Sequence, residues 1–125
     1  MAHGRIAFPH GSLGASELIA AFTAIPADIT FVDAGNIIRY YSDYRIFSRP
    51  ESCLDTDVLD CHSAGTRPSI ASLLAEFRDG RREDVVFAEK KDGRPVSVRY
   101  TALRDDEGTY LGCLEIAQWA GEVEG

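Results

Sequence analysis

Apolar positions along this chain alternate between helical and extended spacing. Leu18, Ile19, Phe22 and Ile25 fall on one face of a helix that Ser16 can cap and Pro26 stops. Ile29-Thr30-Phe31-Val32 and Ile37-Ile38-Arg39-Tyr40-Tyr41 are β-rich runs separated by Asp33-Ala34-Gly35-Asn36, which predicts a hairpin with Gly35 at a positive φ. Over residues 42–67 the periodicity is lost and Pro50 intervenes, so short helical turns joined by loops are expected, and a ligand pocket can be shaped there without disturbing a sheet. Ser69 then caps the best helix of the chain. Ile70, Leu73, Leu74 and Phe77 follow at the i, i+3, i+4, i+7 spacing, and Gly80 is placed to end it. The remainder offers strands over 85–89, 95–103 and 110–119, joined by turns containing Lys91-Asp92-Gly93 and Asp105-Asp106-Glu107-Gly108.

Short turns force antiparallel neighbours, so the expected fold class is α+β: a five-stranded antiparallel sheet with helices packed on one face. Residues 1–14, with Gly4, Pro9, Gly11 and Gly14, read as a flexible lead-in; 15–120 form the domain and 121–125 a tail. His3 and His10 in the lead-in lack further ligands nearby and read as solvated rather than as a metal pair. At 125 residues the chain is long enough to bury one core. A formal net charge of -7 opposes nucleic acid or anionic lipid as partner. The apolar stretch 18–27 is too short to span a bilayer and carries Pro26, and the N-terminus lacks a signal pattern, so a cytoplasmic location is expected. Three cysteines, Cys53, Cys61 and Cys113, form no regular framework, and reduced thiols are the default expectation.

Several local motifs, taken with the order of elements, resemble a PAS domain, and more narrowly the PAS module of the DUF438 family, which stands beside a hemerythrin-like domain. They are Pro26-Ala27-Asp28-Ile29-Thr30-Phe31-Val32-Asp33, Arg45-Ile46-Phe47-Ser48-Arg49-Pro50, Asp60-Cys61-His62, Phe77-Arg78-Asp79-Gly80, and Arg99-Tyr100 followed by residues 104–112. Two departures stand out. Ser63-Ala64 follow Cys61-His62 where that family has two prolines, and a glycine usual after the Arg-Pro segment is replaced near Asp55. The flanking hemerythrin-like portion is absent, so the chain is expected to be a stand-alone module or a fragment. The resemblance implies an apolar pocket between sheet and helices that takes haem, flavin or a small metabolite, or is filled with side chains. It also implies a homodimer formed through the helix before the first sheet strand, here residues 16–25.

His62 is the candidate haem axial ligand, the one metal-binding role expected, because it precedes the helix that should roof the pocket; otherwise its ring bonds a loop or caps the helix approach. Ile70, Leu73, Leu74 and Phe77 would wall a porphyrin, and Tyr40, Tyr100 and Trp119 offer aromatic lining or ordinary strand packing. Arg45, Arg49 and Arg99 would meet an anionic ligand or, with twenty acidic residues in the chain, form ion pairs. Catalysis is not expected: adjacent Cys61 and His62 side chains point apart, no orienting acid is evident, and no phosphate loop occurs. The reading is a sensory module binding a small ligand, haem being one candidate, with a signalling partner left open. The alternative is a ligand-free dimerisation or docking module.

Overall fold

A computed structural model describes residues 4–121, so His3 lies outside the described residues. The expected lead-in holds a small hairpin, β1 (Arg5–Ala7) paired antiparallel with β2 (Ser12–Gly14). Arg5 ties it together, donating to the Ser12 hydroxyl at 2.9 Å and the Ser12 carbonyl at 3.0 Å. Helix α1 (Ala15–Ala24) follows directly. Its N-cap is Gly14 rather than Ser16, because the Glu17 carboxylate reaches back to accept the Gly14 N–H at 2.8 Å.

The main sheet contains β3 (Asp28–Asp33), β4 (Ile38–Tyr41), β5 (Asp84–Lys91), β6 (Arg94–Arg104) and β7 (Tyr110–Trp119), in the order β4-β3-β7-β6-β5. Every neighbour pair is antiparallel, as expected. In the β3–β4 turn the positive φ, 68°, belongs to Asn36 and not to Gly35. Asparagine tolerates the left-handed region, and the Asp33 carboxylate holds the turn by accepting from the N–H groups of Gly35 and Ile37. The β5–β6 turn has positive φ at both Asp92 and Gly93, the requirement of a tight hairpin.

Between β4 and the second helix lie two short 3-10 turns, Glu51–Cys53 and Val58–Cys61, in the segment where helical turns are predicted. A disulfide joins Cys53 to Cys61, correcting the expectation of reduced thiols. The two turns bring Cα atoms eight residues apart to within 6.2 Å, a proximity that spacing alone does not reveal. Cys113 is free and buried, and burial pushes its thiol up to about 12.

Helix α2 (Arg67–Asp79) has Thr66 at its N-cap position and Pro68 in its first turn, so Ser69 lies inside the helix, and Gly80 in the left-handed conformation ends it. Its buried face, Ile70, Leu73, Leu74 and Phe77, packs on Val32 and Ile38 of the sheet, on Cys53 and Val58 of the 3-10 turns, and on Cys113. A second buried cluster, Ile46, Val96, Val98 and Ala117, lies toward the other end of the same sheet face.

Candidate functional site

Paired residues of neighbouring strands share a face, so the register fixes which side chains meet α2. On that inner face stand Asp28 and Thr30 of β3; Cys113, Glu115 and Ala117 of β7; Val96, Val98 and Tyr100 of β6; and Val85, Phe87 and Glu89 of β5. Where α2 begins, helix and sheet diverge and leave a cavity of about 480 Å3. It is lined by Phe47, His62, Thr66, Ser69, Ile70, Phe87, Glu89, Val98, Tyr100 and Glu115. That volume falls in the usual range for small-molecule sites, with mostly apolar walls and a few convergent polar groups.

One wall is built by a buried ion pair. Asp28, 3% exposed, accepts the backbone N–H groups of Ile46 and Phe47 at 2.9 and 2.8 Å and pairs with the Arg45 guanidinium at 2.8 Å. Arg45 in turn donates to the Phe47 carbonyl at 3.0 Å and lies over the Tyr41 ring, 5.1 Å from its centroid. Phe47 is thereby fixed at the rim of the cavity, and Arg45 is a scaffold rather than a ligand contact.

The polar groups come from β6, β7 and the loop. Tyr100 donates its hydroxyl to Glu115 at 3.4 Å, and Arg49 lies 3.7 Å from the other Glu115 oxygen. Burial pushes the Glu115 carboxyl upward while the Arg49 charge opposes the shift. Burial likewise raises the Tyr100 phenol, keeping it neutral and able to donate. The Nε of Arg49 is buried without a hydrogen-bond partner. His62 contacts the Val58 carbonyl through Nδ1 at 2.9 Å. A carbonyl only accepts, so Nδ1 donates to it and Nε2 is the ring nitrogen left for other contacts.

Of the residues singled out by the sequence, the cavity brings together His62, Ile70 and Tyr100. Leu73, Leu74 and Phe77, at most 7% exposed, are spent on the core and do not line it. Tyr40 stands elsewhere: the register slips between Phe31 and Val32, so Tyr40 pairs with Phe31 on the opposite face and meets Phe22 of α1 at 5.3 Å between ring centroids. Arg99 also projects from that outer face, next to Tyr100 in sequence and therefore opposite to it, and pairs with Asp84 at 2.5 Å. Trp119 lies at the far end of β7 beneath Arg94, 3.9 Å from its ring centroid. His10 is exposed. Glu115, Glu89, Phe47 and Phe87 were not anticipated. Glu115 had a signal, since it is the one carboxylate in β7 and its i±2 neighbours Cys113 and Ala117 are both small and buried.

A family model described as a PAS domain matches residues 18–118. Among curated proteins none matches. Among solved structures, the C-terminal domain of a Streptococcus mutans protein is 27% identical with a TM-score of 0.86, covering 94% of this chain and 93% of that one. The PAS domain of a Colwellia psychrerythraea protein is 15% identical with a TM-score of 0.61, covering 86% and 98%. The VqmA dimer of Vibrio cholerae, described among LuxR-type receptors, is 18% identical with a TM-score of 0.63; the match covers 85% of this chain but 52% of that one. VqmA bound to DPO matches with a TM-score of 0.64 at the same identity, over 86% and 58%.

Proposed function

The chain belongs to the PAS domain family, a family of sensory and signalling modules, and on that premise we propose that it is a sensor whose small ligand occupies the cavity between α2 and strands β5–β7. The observation that carries this reading is the cavity itself, about 480 Å3 with Glu115, Tyr100 and His62 converging on it between helix and sheet. The structural likeness to VqmA, solved bound to DPO, agrees with a ligand-binding role. A narrower kinship with the PAS module of the DUF438 family rests on the motifs at 26–33, 45–50 and 60–62.

Haem fits this lining poorly. His62 holds Nδ1 against a carbonyl and keeps Nε2 for other contacts, the ring orientation an axial ligand needs. Only Ile70 of the four expected apolar wall residues faces the cavity, however, and its charged side chains are Glu89 and Glu115, with no arginine or lysine to meet the propionates. A compact ligand suits the site better. The reading is non-catalytic: Cys61 is engaged with Cys53, and the His62 ring is oriented by a carbonyl rather than by a carboxylate.

A homodimer through α1 belongs to the same proposal. No residue of α1 is buried; Ile19 is 67% exposed and Ile25, the residue that caps its C-terminus, 41%, an unusual state for large apolar side chains on one side of a helix.

Indole and phenol are suitable neutral probes, followed by amide chemical shifts. Saturable shifts confined to Phe47, His62, Ile70, Phe87, Val98 and Tyr100 are expected, and Ser69→Trp, which fills the rim from an exposed position, should abolish them. Haem should give no saturable Soret band sensitive to His62→Ala. If neither probe shifts those residues, the module is a ligand-free dimerisation or docking unit; a stoichiometric haem band lost in His62→Ala would instead restore the haem reading.

A further inference from the structure

Resting on the ligand-binding reading above, we infer that the cavity selects a flat, nitrogen-bearing cation, a ligand of the amidine or protonated heteroaromatic amine class that donates hydrogen bonds and carries positive charge.

The donor and acceptor inventory of the cavity is one-sided. Glu115 and Glu89 are carboxylates and accept. His62 commits its Nδ1 proton to Val58 and meets the cavity through Nε2, which accepts when the ring is neutral. Tyr100 spends its hydroxyl proton on Glu115, leaving oxygen lone pairs. The hydroxyls of Thr66 and Ser69 can adapt to either role, although Thr66 also donates to the Ser63 carbonyl at 3.2 Å. A ligand carrying only acceptors would strand these groups without partners, which is costly in a partly buried site.

The start of α2 does not reverse this preference. A helix N-terminus attracts anions through free N–H groups. Here Pro68 has none, and the N–H groups of Arg67 and Ile70 donate to the carbonyls of Ser63 and Thr66 at 3.1 Å each, so of the residues from Arg67 to Ile70 Ser69 is the one with a backbone N–H to offer. The Arg67 guanidinium is turned onto the carbonyls of Leu59 and His62 at 2.8 and 3.1 Å and does not line the cavity.

Charge and shape act in the same direction. Arg49 faces Glu115 at 3.7 Å, beyond hydrogen-bond range, and Glu89 carries a second negative charge on the same cavity. A cation placed between Glu89 and Glu115 would oppose the upward shift that burial imposes on Glu115, in the same sense as the Arg49 charge does. The walls are aromatic: Phe87 and Tyr100 meet edge to face with centroids 5.9 Å apart, and Phe47 stands at the rim. Ring faces attract cations and accommodate planar groups.

Benzamidine, benzamide and benzoate share nearly one shape and differ in donors and charge, so titration calorimetry with amide shifts separates the terms. Benzamidine should bind about ten- to a hundredfold more tightly than benzoate, with benzamide between, as one or two charged hydrogen bonds imply. Glu115→Gln should remove most of that preference. Glu89→Gln, an exposed rim position that leaves the Arg49 contact intact, should lower it severalfold with the fold unaffected. Benzoate binding as tightly as benzamidine overturns the inference, as does benzamidine failing where indole shifts the cavity residues, and in both cases the cavity reading survives. Failure of all probes, indole included, removes both.

Discussion

Single residues decide more here than their chemistry announces. Gly112 in β7 has φ of 144°, and a Cβ there would lie 2.2 Å from the Val32 carbonyl oxygen and 3.0 Å from the Asp33 Cα. Both obstacles are backbone of the adjacent strand and cannot rotate away. Gly112→Ala is therefore expected to cost about 3 kcal/mol, the sum of left-handed strain and local overpacking. Urea unfolding would measure it, and a variant as stable as the parent would mean that β7 can shift away from β3. The same end of the sheet shows how one backbone irregularity reassigns a side chain. The slip in β4 leaves Ile38 in the core and turns Tyr40 out to α1, so two residues that alternation places together are on opposite faces.

At the scale of elements, the segment between β4 and α2 holds the site together although its two turns are only three and four residues long. Cys53 sits in the core with Ile38 and Leu73, and its bond to Cys61 anchors the turn that carries His62. Closing a loop of this length restricts the unfolded chain by about 2–3 kcal/mol on the chain-entropy account. Reduction, or Cys61→Ser, should lower the unfolding free energy by that amount and broaden the amide resonances of 58–66 ahead of those in β6 and β7. Calorimetry of the oxidised and reduced forms checks the first, and identical midpoints would show that the disulfide adds nothing to stability. The Asp28–Arg45 pair plays the corresponding part on the other wall, where a buried carboxylate is fully occupied in positioning Phe47.

The whole molecule is lopsided. One face of its sheet is covered by α2 and the 3-10 turns, while on the other α1 lies with its apolar side largely open and Val86, at 57% exposed, stands clear on β5. On the proposed dimer reading, light scattering should give a dimer mass, and Ile19→Asp should shift it to monomer without changing the circular dichroism, since Ile19 is 67% exposed. Phe22→Asp should do the same at some cost in stability, because Phe22 also packs on Tyr40. An unaltered mass for Ile19→Asp would take α1 out of the interface. Among the described residues no helix is long and apolar enough to cross a membrane.

The architecture was legible in the chain because it depends on local periodicity. The 3.6-residue spacing from Ile70 to Phe77, Gly80 at the helix end, and the turn residues at 92–93 and 105–108 together specify two helices and five antiparallel strands, whatever surrounds them. The site was only partly legible. His62 and Tyr100 drew attention by type, whereas Leu73, Leu74 and Phe77 looked equally suited to a cavity wall until packing committed them to the core. Periodicity states that a face is buried and not by what. Tyr40 and Arg99 needed the register, the Cys53–Cys61 bond needed two turns to converge, and Glu115 became central only when β7 placed it beside Tyr100 and opposite Arg49. These are contacts between residues distant in sequence or on neighbouring strands, and only tertiary structure could decide them.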